Sequence, residues 1–177
     1  MYKPLILVLA TSAVSLAAPA DKRESIKQFR LGMEVKDTTV SLTATRNGTS
    51  GDIVLEAGRL STVPGTLAWF IGAEPDLAIV FNVDESATQY GAKVVDVGKA
   101  PGNVHLVTAV ADYNEFDFGF SVTDDGVITH ELTGTTNVFM ACEGTIDGVE
   151  NYYLSWGNPS ADAQLPEGCE VTTLKQI

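Results

Sequence analysis

The sequence predicts an all-β fold, either an antiparallel barrel or a sandwich of about ten to twelve short strands, with a β-trefoil as the alternative. Three observations predict it. Apolar and polar residues alternate with a period of two, β-branched residues are frequent, and turn residues interrupt the pattern at short intervals. Beyond the first 23 residues no segment keeps the 3.6-residue period of an amphipathic helix. No clean internal repeat is visible, which makes the trefoil the weaker architecture.

Twelve segments carry the strand pattern. They are residues 27–35, 39–46, 52–56, 66–71, 77–83, 92–97, 104–111, 115–122, 127–132, 137–142, 152–156 and 170–174. Because strands this short and this closely spaced are joined by tight connections, we expect neighbours to pair antiparallel.

The best-defined hairpin joins residues 115–122 to residues 127–132. A three-residue loop, Asp124-Asp125-Gly126, gives a register in which one face of both strands is apolar, whereas a two-residue loop mixes the faces. The loop also puts Gly126 at the position that needs a left-handed backbone. The predicted pairs are Val122 with Ile128, Phe120 with His130 and Phe118 with Leu132.

This register predicts that His130 is a buried, hydrogen-bonded histidine beside Phe120, and not a catalytic one. The other histidine, His105, falls opposite the apolar face of its strand and is expected to be exposed.

The first residues have the composition of a secretory leader. Lys3 precedes an uncharged apolar run at residues 5–16, and Ala17 and Ala20 offer small side chains for signal peptidase, so residues 1–20 are predicted to be a signal peptide. The apolar run is shorter than the roughly 20 residues that span a bilayer, and no membrane anchor is expected.

Lys22-Arg23 is a candidate dibasic processing site, which would make residues 21–23 a short pro-segment. In the alternative, the pair is simply the charged start of the mature chain. Residues 24–177 are predicted to form a single β domain.

The mature chain is strongly acidic. Removing Lys3, Lys22 and Arg23 from the 11 basic residues and Asp21 from the 23 acidic ones leaves 8 and 22, a net charge of −14. That field repels nucleic acid and anionic membranes, so neither is expected as a partner.

Two further features suit a secreted protein. The only two cysteines, Cys142 and Cys169, are expected to pair with each other in an oxidising compartment. Asn47-Gly48-Thr49 is a usable glycosylation sequon in a turn, so Asn47 is predicted to carry a glycan, whereas Pro159 blocks the sequon at Asn158.

Recognised catalytic and metal motifs are absent from the sequence: there is no G-x-S-x-G, H-E-x-x-H, P-loop, C-x-x-C or EF-hand pattern. We therefore expect no enzyme activity, no cofactor and no metal site. An acid-working hydrolase stays as an alternative, since a glycosidase needs only two well-placed carboxylates. Most acids are expected to be solvated, including Asp117 on the polar side of its strand. The other acids considered are Asp84, Glu85, Asp112, Glu115, Asp124 and Asp125.

Aromatic residues are the better candidates for recognition. In the segment at residues 151–156, Tyr152 and Trp156 share one face and are expected to pack inward beside the disulfide, while Tyr153 lies on the other face. The alternative is that Tyr153, Trp156 or Trp69 stacks on a sugar ring or a partner protein.

The C-terminal part of the chain combines four short motifs, namely Ala141-Cys142, Tyr153-Leu154-Ser155-Trp156, Asn158-Pro159-Ser160 and Gly168-Cys169. Together they resemble the C-terminal part of PhiA-type fungal cell-wall proteins, although the extra N-terminal cysteines of that family are missing here. The resemblance implies an extracellular or wall-associated β-protein without known chemistry, linked to spore-bearing structures. Related small secreted fungal proteins elicit host defence.

The sequence thus leads to the expectation of a secreted, non-enzymatic fungal cell-wall or extracellular interaction protein. Its expected partner is a cell-wall polysaccharide or a host protein. A carbohydrate-binding or host-directed elicitor module and an acidic hydrolase are the alternatives.

Overall fold

The computed structural model describes residues 27–48, 51–58, 64–83, 88–94, 104–131, 137–158 and 165–177. The described residues form fourteen strands and one short 3-10 helix, η1. In chain order they are β1 Phe29–Val35, β2 Thr38–Arg46, β3 Ile53–Ala57, β4 Leu67–Ala73, β5 Asp76–Phe81, β6 Tyr90–Lys93, β7 Val104–Leu106, β8 Thr108–Val110, η1 Tyr113–Glu115, β9 Phe120–Val122, β10 Val127–His130, β11 Val138–Ile146, β12 Val149–Gly157, β13 Cys169–Val171 and β14 Leu174–Gln176. The predicted signal peptide, the pair Lys22-Arg23, and Asp84 and Glu85 lie outside the described residues.

Nine of the strands close into an antiparallel barrel, and the other five lie outside the ring. The order around the barrel is β3-β2-β1-β14-β10-β9-β5-β6-β8, and the pairing of β8 with β3 closes it. Closure gives each barrel strand two neighbours, which removes the exposed edges on which sheets aggregate. The predicted antiparallel barrel is therefore confirmed, and the sandwich and the trefoil are not what the described chain forms.

The barrel interior is a packed hydrophobic core. Its largest fully buried side chains include Trp156, Phe81, Phe120, Leu31 and Met33. Each such side chain contributes roughly 1.5–3 kcal/mol by leaving water. The barrel is thus filled by its own side chains.

The hairpin of β9 and β10 has the predicted register. Val122 pairs with Ile128 and Phe120 pairs with His130, as expected for a three-residue loop. Gly126 has a φ of 80°, the left-handed conformation for which glycine is suited. The third predicted partner, Leu132, lies outside the described residues.

The strand predicted at residues 115–122 is correct only at its end. The Asp112 side chain accepts a hydrogen bond from Asn114 N at 3.0 Å and caps η1, which ends at Glu115, and residues 116–119 follow η1 without joining a strand. Phe116 and Phe118 do not share the face of Phe120. They pack instead in a second cluster, with Trp69, Ala78 and Val80, on the outer face of β5.

Two other predicted strands are each divided by a buried residue. Val107 separates β7 from β8, and its N–H donates to Leu154 O at 2.9 Å. Thr172 separates β13 from β14, and its hydroxyl bonds the backbone of Glu34 in both directions, at 2.7 and 2.8 Å. At both points the chain leaves an outer strand and enters the barrel, because β7 and β13 pair outside the ring whereas β8 and β14 pair within it.

The hairpin of β11 and β12 is longer than predicted. The two strands pair over nine residues each, from Val138 with Gly157 to Ile146 with Val149. Their turn is Asp147-Gly148, with φ values of 50° and 76°. This two-residue Asp-Gly turn has the sequence that such hairpins favour, and it extends the pairing by four residues beyond the predicted end of the first strand.

The predicted disulfide is confirmed. Cys142 of β11 and Cys169 of β13 face each other in the ladder and are joined. The bridge ties β13, an edge strand whose pairing among the described residues is to β11 alone, to the hairpin.

Replacing both cysteines by alanine is expected to lower the free energy of unfolding by about 3 kcal/mol, since the bridge closes a loop with a sequence separation of 27. Urea unfolding of the double variant measures this loss. Reduced wild-type protein is the matched control and is expected to show a similar loss. Equal stability of the oxidised wild type and the variant would contradict the prediction.

Gly91→Ala is expected to destabilise the barrel by about 1–3 kcal/mol, because overpacking forces neighbours to move. An added Cβ would lie 2.2 Å from Phe116 Cγ, and Gly91 is held on both sides by pairing with Val80 and Val110. A double-mutant cycle with Phe116→Ala, which removes the Cγ and Cδ atoms that the added methyl group would meet, tests the contact by denaturant unfolding. Recovery of stability in the double variant is expected, and strict additivity of the two losses would show that the contact is not the cause.

A candidate binding cleft on the outer hairpin

The structure leaves none of the three predicted stacking aromatics on the surface. Trp69, Tyr153 and Trp156 are 5%, 2% and 0% exposed. Trp156 lies in the main core, 4.8 Å from Phe139 between ring centroids, and Tyr153 donates its hydroxyl hydrogen to Val149 O at 3.0 Å. The proposal that these rings stack on a sugar is therefore corrected: β12 is buried on both faces from Tyr153 to Gly157, so both alternating sets of side chains are covered there.

His130 is buried, as predicted. Its ring packs edge-on against Phe120 at 4.8 Å and Trp156 at 5.4 Å, and Nε2 lies 3.1 Å from Asp117 Oδ1. A cleft of about 370 Å³ borders this histidine, but only 1% of its side chain is exposed, and Gly119 packs so closely that an added Cβ would lie 2.8 Å from Nε2. The imidazole is thus a core group. His105 is exposed, as predicted.

Asp117 is not the solvated acid that the strand pattern predicted. Its side chain is 21% exposed, and besides facing His130 its Oδ2 accepts a hydrogen bond from Val94 N at 3.3 Å. The reason is that residues 116–119 lie outside β9, so the period of two does not apply to them.

Three of the other acids named from the sequence, Asp112, Glu115 and Asp125, have local partners. Glu115 forms an ion pair with Lys93 at 2.9 Å. The hydroxyl of Thr123 donates to Asp125 and lowers the pKa of that carboxyl. Within the described ranges, no group of three or more histidine, cysteine, aspartate or glutamate side chains could hold a metal ion, and no helix is long and apolar enough to cross a membrane.

A surface cleft of about 630 Å³ opens on the outer half of the β11–β12 hairpin. It is lined by Glu143, Gly144, Thr145, Glu150, Asn151 and Tyr152. Because Glu143 pairs with Tyr152 and Thr145 pairs with Glu150, these four side chains project from one face of the hairpin. We refer to this site as the hairpin cleft.

The hairpin cleft is built where the hairpin runs past the core. Residues of β11 are buried from Phe139 to Ala141, and beyond Cys142 they alternate between exposed and half-buried. The back of the cleft is anchored by Asn151, whose Nδ2 donates to Ala57 O at 2.8 Å and to Glu56 Oε2 at 3.1 Å. The cleft wall is therefore anchored to β3 through Asn151, and Glu143 on the other strand directly follows the disulfide-bonded Cys142.

At one end of the hairpin cleft the side chains of Tyr152, Glu143 and Lys36 contact one another. The Tyr152 hydroxyl donates to Glu143 Oε1, and Lys36 Nζ lies 3.4 Å from the same oxygen and 5.2 Å from the centroid of the Tyr152 ring. Hydrogen bonding from Tyr152, then from Lys36, lowers the pKa of Glu143. Hydrogen bonding to Tyr152 and Glu143 raises the pKa of Lys36.

Lys36 reaches the hairpin cleft from the opposite end of the chain. It stands with Asp37 in the two-residue turn between β1 and β2, where both residues have positive φ, 47° and 61°. Its backbone N–H donates to Glu170 Oε1 at 2.8 Å. This hydrogen bond holds the turn against β13, the strand that contains Glu170.

Sequence reasoning did not single out Lys36, Glu143 or Glu150. It expected Tyr152 to pack inward, and the partly buried ring of Tyr152 does pack against the main core while it also lines the cleft. A usable signal was present at Asp147-Gly148, because a two-residue turn there pairs residue 143 with residue 152 and residue 145 with residue 150. The approach of Lys36 is a long-range contact that no local pattern reports.

The first two residues of the glycosylation sequon, Asn47 and Gly48, lie beside the tip of the same hairpin. Asn47 follows β2, and the N–H of Gly48 donates to Asp147 Oδ2 at 2.5 Å. Asn47 is therefore in a connection between strands, as predicted, and its glycosylation stays a prediction.

No protein-family model, no curated protein and no solved structure matches this chain.

The two tryptophans are expected to emit at short wavelength and to resist quenching by iodide, because Trp69 and Trp156 are both buried and iodide does not enter a packed core. Fluorescence quenching of the folded protein measures this, with the urea-unfolded protein as the control. Strong iodide quenching of the folded state would mean that at least one indole is on the surface.

Proposed function

We propose that this chain is a secreted, non-enzymatic interaction protein of a fungal cell wall or extracellular space, and that the hairpin cleft binds a wall polysaccharide. The observation that carries the proposal is the cleft itself, which combines one half-buried aromatic ring, that of Tyr152, with carboxylates and a hydroxyl on a single face. The disulfide suits an oxidising compartment, and the resemblance of the C-terminal motifs to PhiA-type proteins supports a place in the wall.

The composition of the hairpin cleft favours a sugar over an apolar ligand. A sugar ring offers C–H groups that pack on an aromatic face and hydroxyls that donate to carboxylates, and hydrogen bonds to charged groups are the stronger kind. Tyr152, Glu143 and Glu150 supply these two kinds of contact from neighbouring strand positions. A small polar cleft is also a better match to a glycan chain than to a protein partner, which needs a contact of about 800 Å² on each side.

An acid hydrolase is less well supported by the same cleft. Glu143 and Glu150 are diagonal neighbours across the hairpin, and sheet geometry separates the backbone positions of such residues by about 7–8 Å, which places two carboxylates on one face as a glycosidase requires. A glycosidase, however, needs one carboxyl with a raised pKa to protonate the leaving group. The pKa of Glu143 is lowered by Tyr152 and Lys36, which favours holding a ligand over cleaving it.

Tyr152→Ala is expected to weaken binding of soluble wall oligosaccharides at least about tenfold, since stacking on an aromatic ring contributes about 1.4 kcal/mol or more to such complexes. Isothermal titration calorimetry against a panel of wall-derived oligosaccharides measures the loss. Tyr113→Ala is the matched control, because Tyr113 is 59% exposed in η1, away from the cleft, and its removal should leave affinity unchanged.

Circular dichroism checks that both variants keep the β fold. Absence of binding to every member of the panel by wild-type protein would overturn the proposal, as would equal losses in the Tyr152 and Tyr113 variants.

A further inference from the structure

We infer that the hairpin cleft is an ammonium-binding site and that its ligand is an amine-bearing polysaccharide, a partly deacetylated amino-sugar polymer. The inference rests on the proposed function and names its ligand class. The observation behind it is that a side-chain ammonium of the protein itself, that of Lys36, already stands at the cleft.

The contact at Lys36 has the parts of an ammonium site. Its Nζ lies 5.2 Å from the centroid of the Tyr152 ring, within the distance at which a cation is attracted to the face of an aromatic ring. The same Nζ is 3.4 Å from Glu143 Oε1. The Tyr152 hydroxyl donates to that oxygen and orients the carboxylate, so ring and carboxylate act on one position.

Lys36 is held loosely enough to be replaced. Its side chain is 70% exposed and that of Glu143 is 57% exposed, and ion pairs this open to water contribute little to stability. A ligand ammonium that takes the position of Nζ would leave Lys36 free to extend into solvent. Lys36 therefore acts as an internal competitor for the site.

Charge at the hairpin cleft favours a cation over a neutral sugar. A neutral sugar placed over Glu143 compensates the ionised carboxylate for its lost water only with hydroxyl hydrogen bonds, whereas an ammonium donates hydrogen bonds and also supplies the opposite charge. Glu150 provides a second carboxylate on the same face, so successive amino groups of one polymer could each meet a charge. The formal net charge of −12 attracts polycations from a distance.

A divalent metal ion is a poorer occupant. Such ions require several oxygen ligands converging on one point, and the described residues contain no group of three or more metal-binding side chains. An ammonium needs only one carboxylate and one ring, which is what the cleft offers.

The test compares two glucosamine oligomers of equal length, one fully deacetylated and one fully N-acetylated, by calorimetry at low ionic strength. We expect wild-type protein to bind the deacetylated oligomer at least about tenfold more tightly, and added salt to shrink the difference because exposed charges are screened. Glu143→Gln should abolish the preference. Lys36→Met should strengthen binding of the deacetylated oligomer by removing the competing ammonium.

Lys93→Met is the matched control. Lys93 forms a comparable surface ion pair, with Glu115, that is not part of the cleft, so its loss should leave the preference unchanged. The preference should also persist at pH 4.5, the usual pKa of a glutamate, and disappear only in stronger acid, because Tyr152 and Lys36 keep Glu143 ionised below that value.

The outcomes separate the two proposals. If neither oligomer binds, the proposed function fails and this inference fails with it. If both oligomers bind with equal affinity, or if Glu143→Gln keeps the preference, the ammonium site is overturned while polysaccharide binding stands. If Lys36→Met weakens binding of the deacetylated oligomer, Lys36 is not a competitor and the inference is wrong.

Discussion

The nine-residue pairing of β11 with β12 is the interaction on which the rest of the structure depends. At one end of the hairpin, Phe139 and Trp156 fill the barrel core, and at the other end Glu143 and Tyr152 line the cleft. Both ends follow from a single register. A slip of one residue in β12 would turn Trp156 out of the core and Tyr152 away from Lys36, so core packing and cleft geometry are selected together.

Where one face of a strand is buried, the sequence was a sufficient guide to the fold. The pairing of Val122 with Ile128 was predictable because a one-residue shift would expose Phe120. The divisions at Val107 and Thr172 were not predicted, although the apolar–polar alternation breaks at Leu106-Val107 and at Thr172-Thr173. What divides them is tertiary: a backbone N–H to Leu154 in one case and the hydroxyl contacts to Glu34 in the other.

The binding residues were predicted poorly for a related reason. Large aromatic residues suggested a stacking surface, but Trp69 of β4 packs against Ala78 and Val80 of β5. The end of β12 from Tyr153 to Gly157 is covered on both faces, which buries Tyr153 and Trp156 regardless of alternation. Tyr152 is half-buried whereas the next residue, Tyr153, is buried, because their side chains lie on opposite faces of β12. Lys36 enters from a turn 107 residues away from Glu143. Residue types were therefore enough to predict core residues, whereas the binding site depends on which distant segments the topology brings together.

The lowered pKa values of three carboxyl groups determine how the contacts of these groups respond to acid. Glu34, Asp125 and Glu143 each have a pKa lowered by a specific partner, first Lys175, Thr123 and Tyr152 respectively. A pKa that is lower in the folded state than in the unfolded state adds stability above the unfolded value, and this stability is lost as the pH falls through the folded value. These contacts therefore persist in mildly acid media and weaken only in stronger acid.

The lowered pKa of Glu143 has a functional consequence for the hairpin cleft. Tyr152 keeps the Glu143 carboxylate ionised at a pH where an unassisted glutamate would begin to protonate. An amine on a ligand is fully charged under the same conditions, so acidification over this range leaves both partners of the ion pair charged. A site for a neutral sugar would gain less from this arrangement, because an uncharged hydroxyl can also donate, more weakly, to a protonated carboxyl. The electrostatics of the cleft are thus better matched to a cationic glycan than to a neutral one.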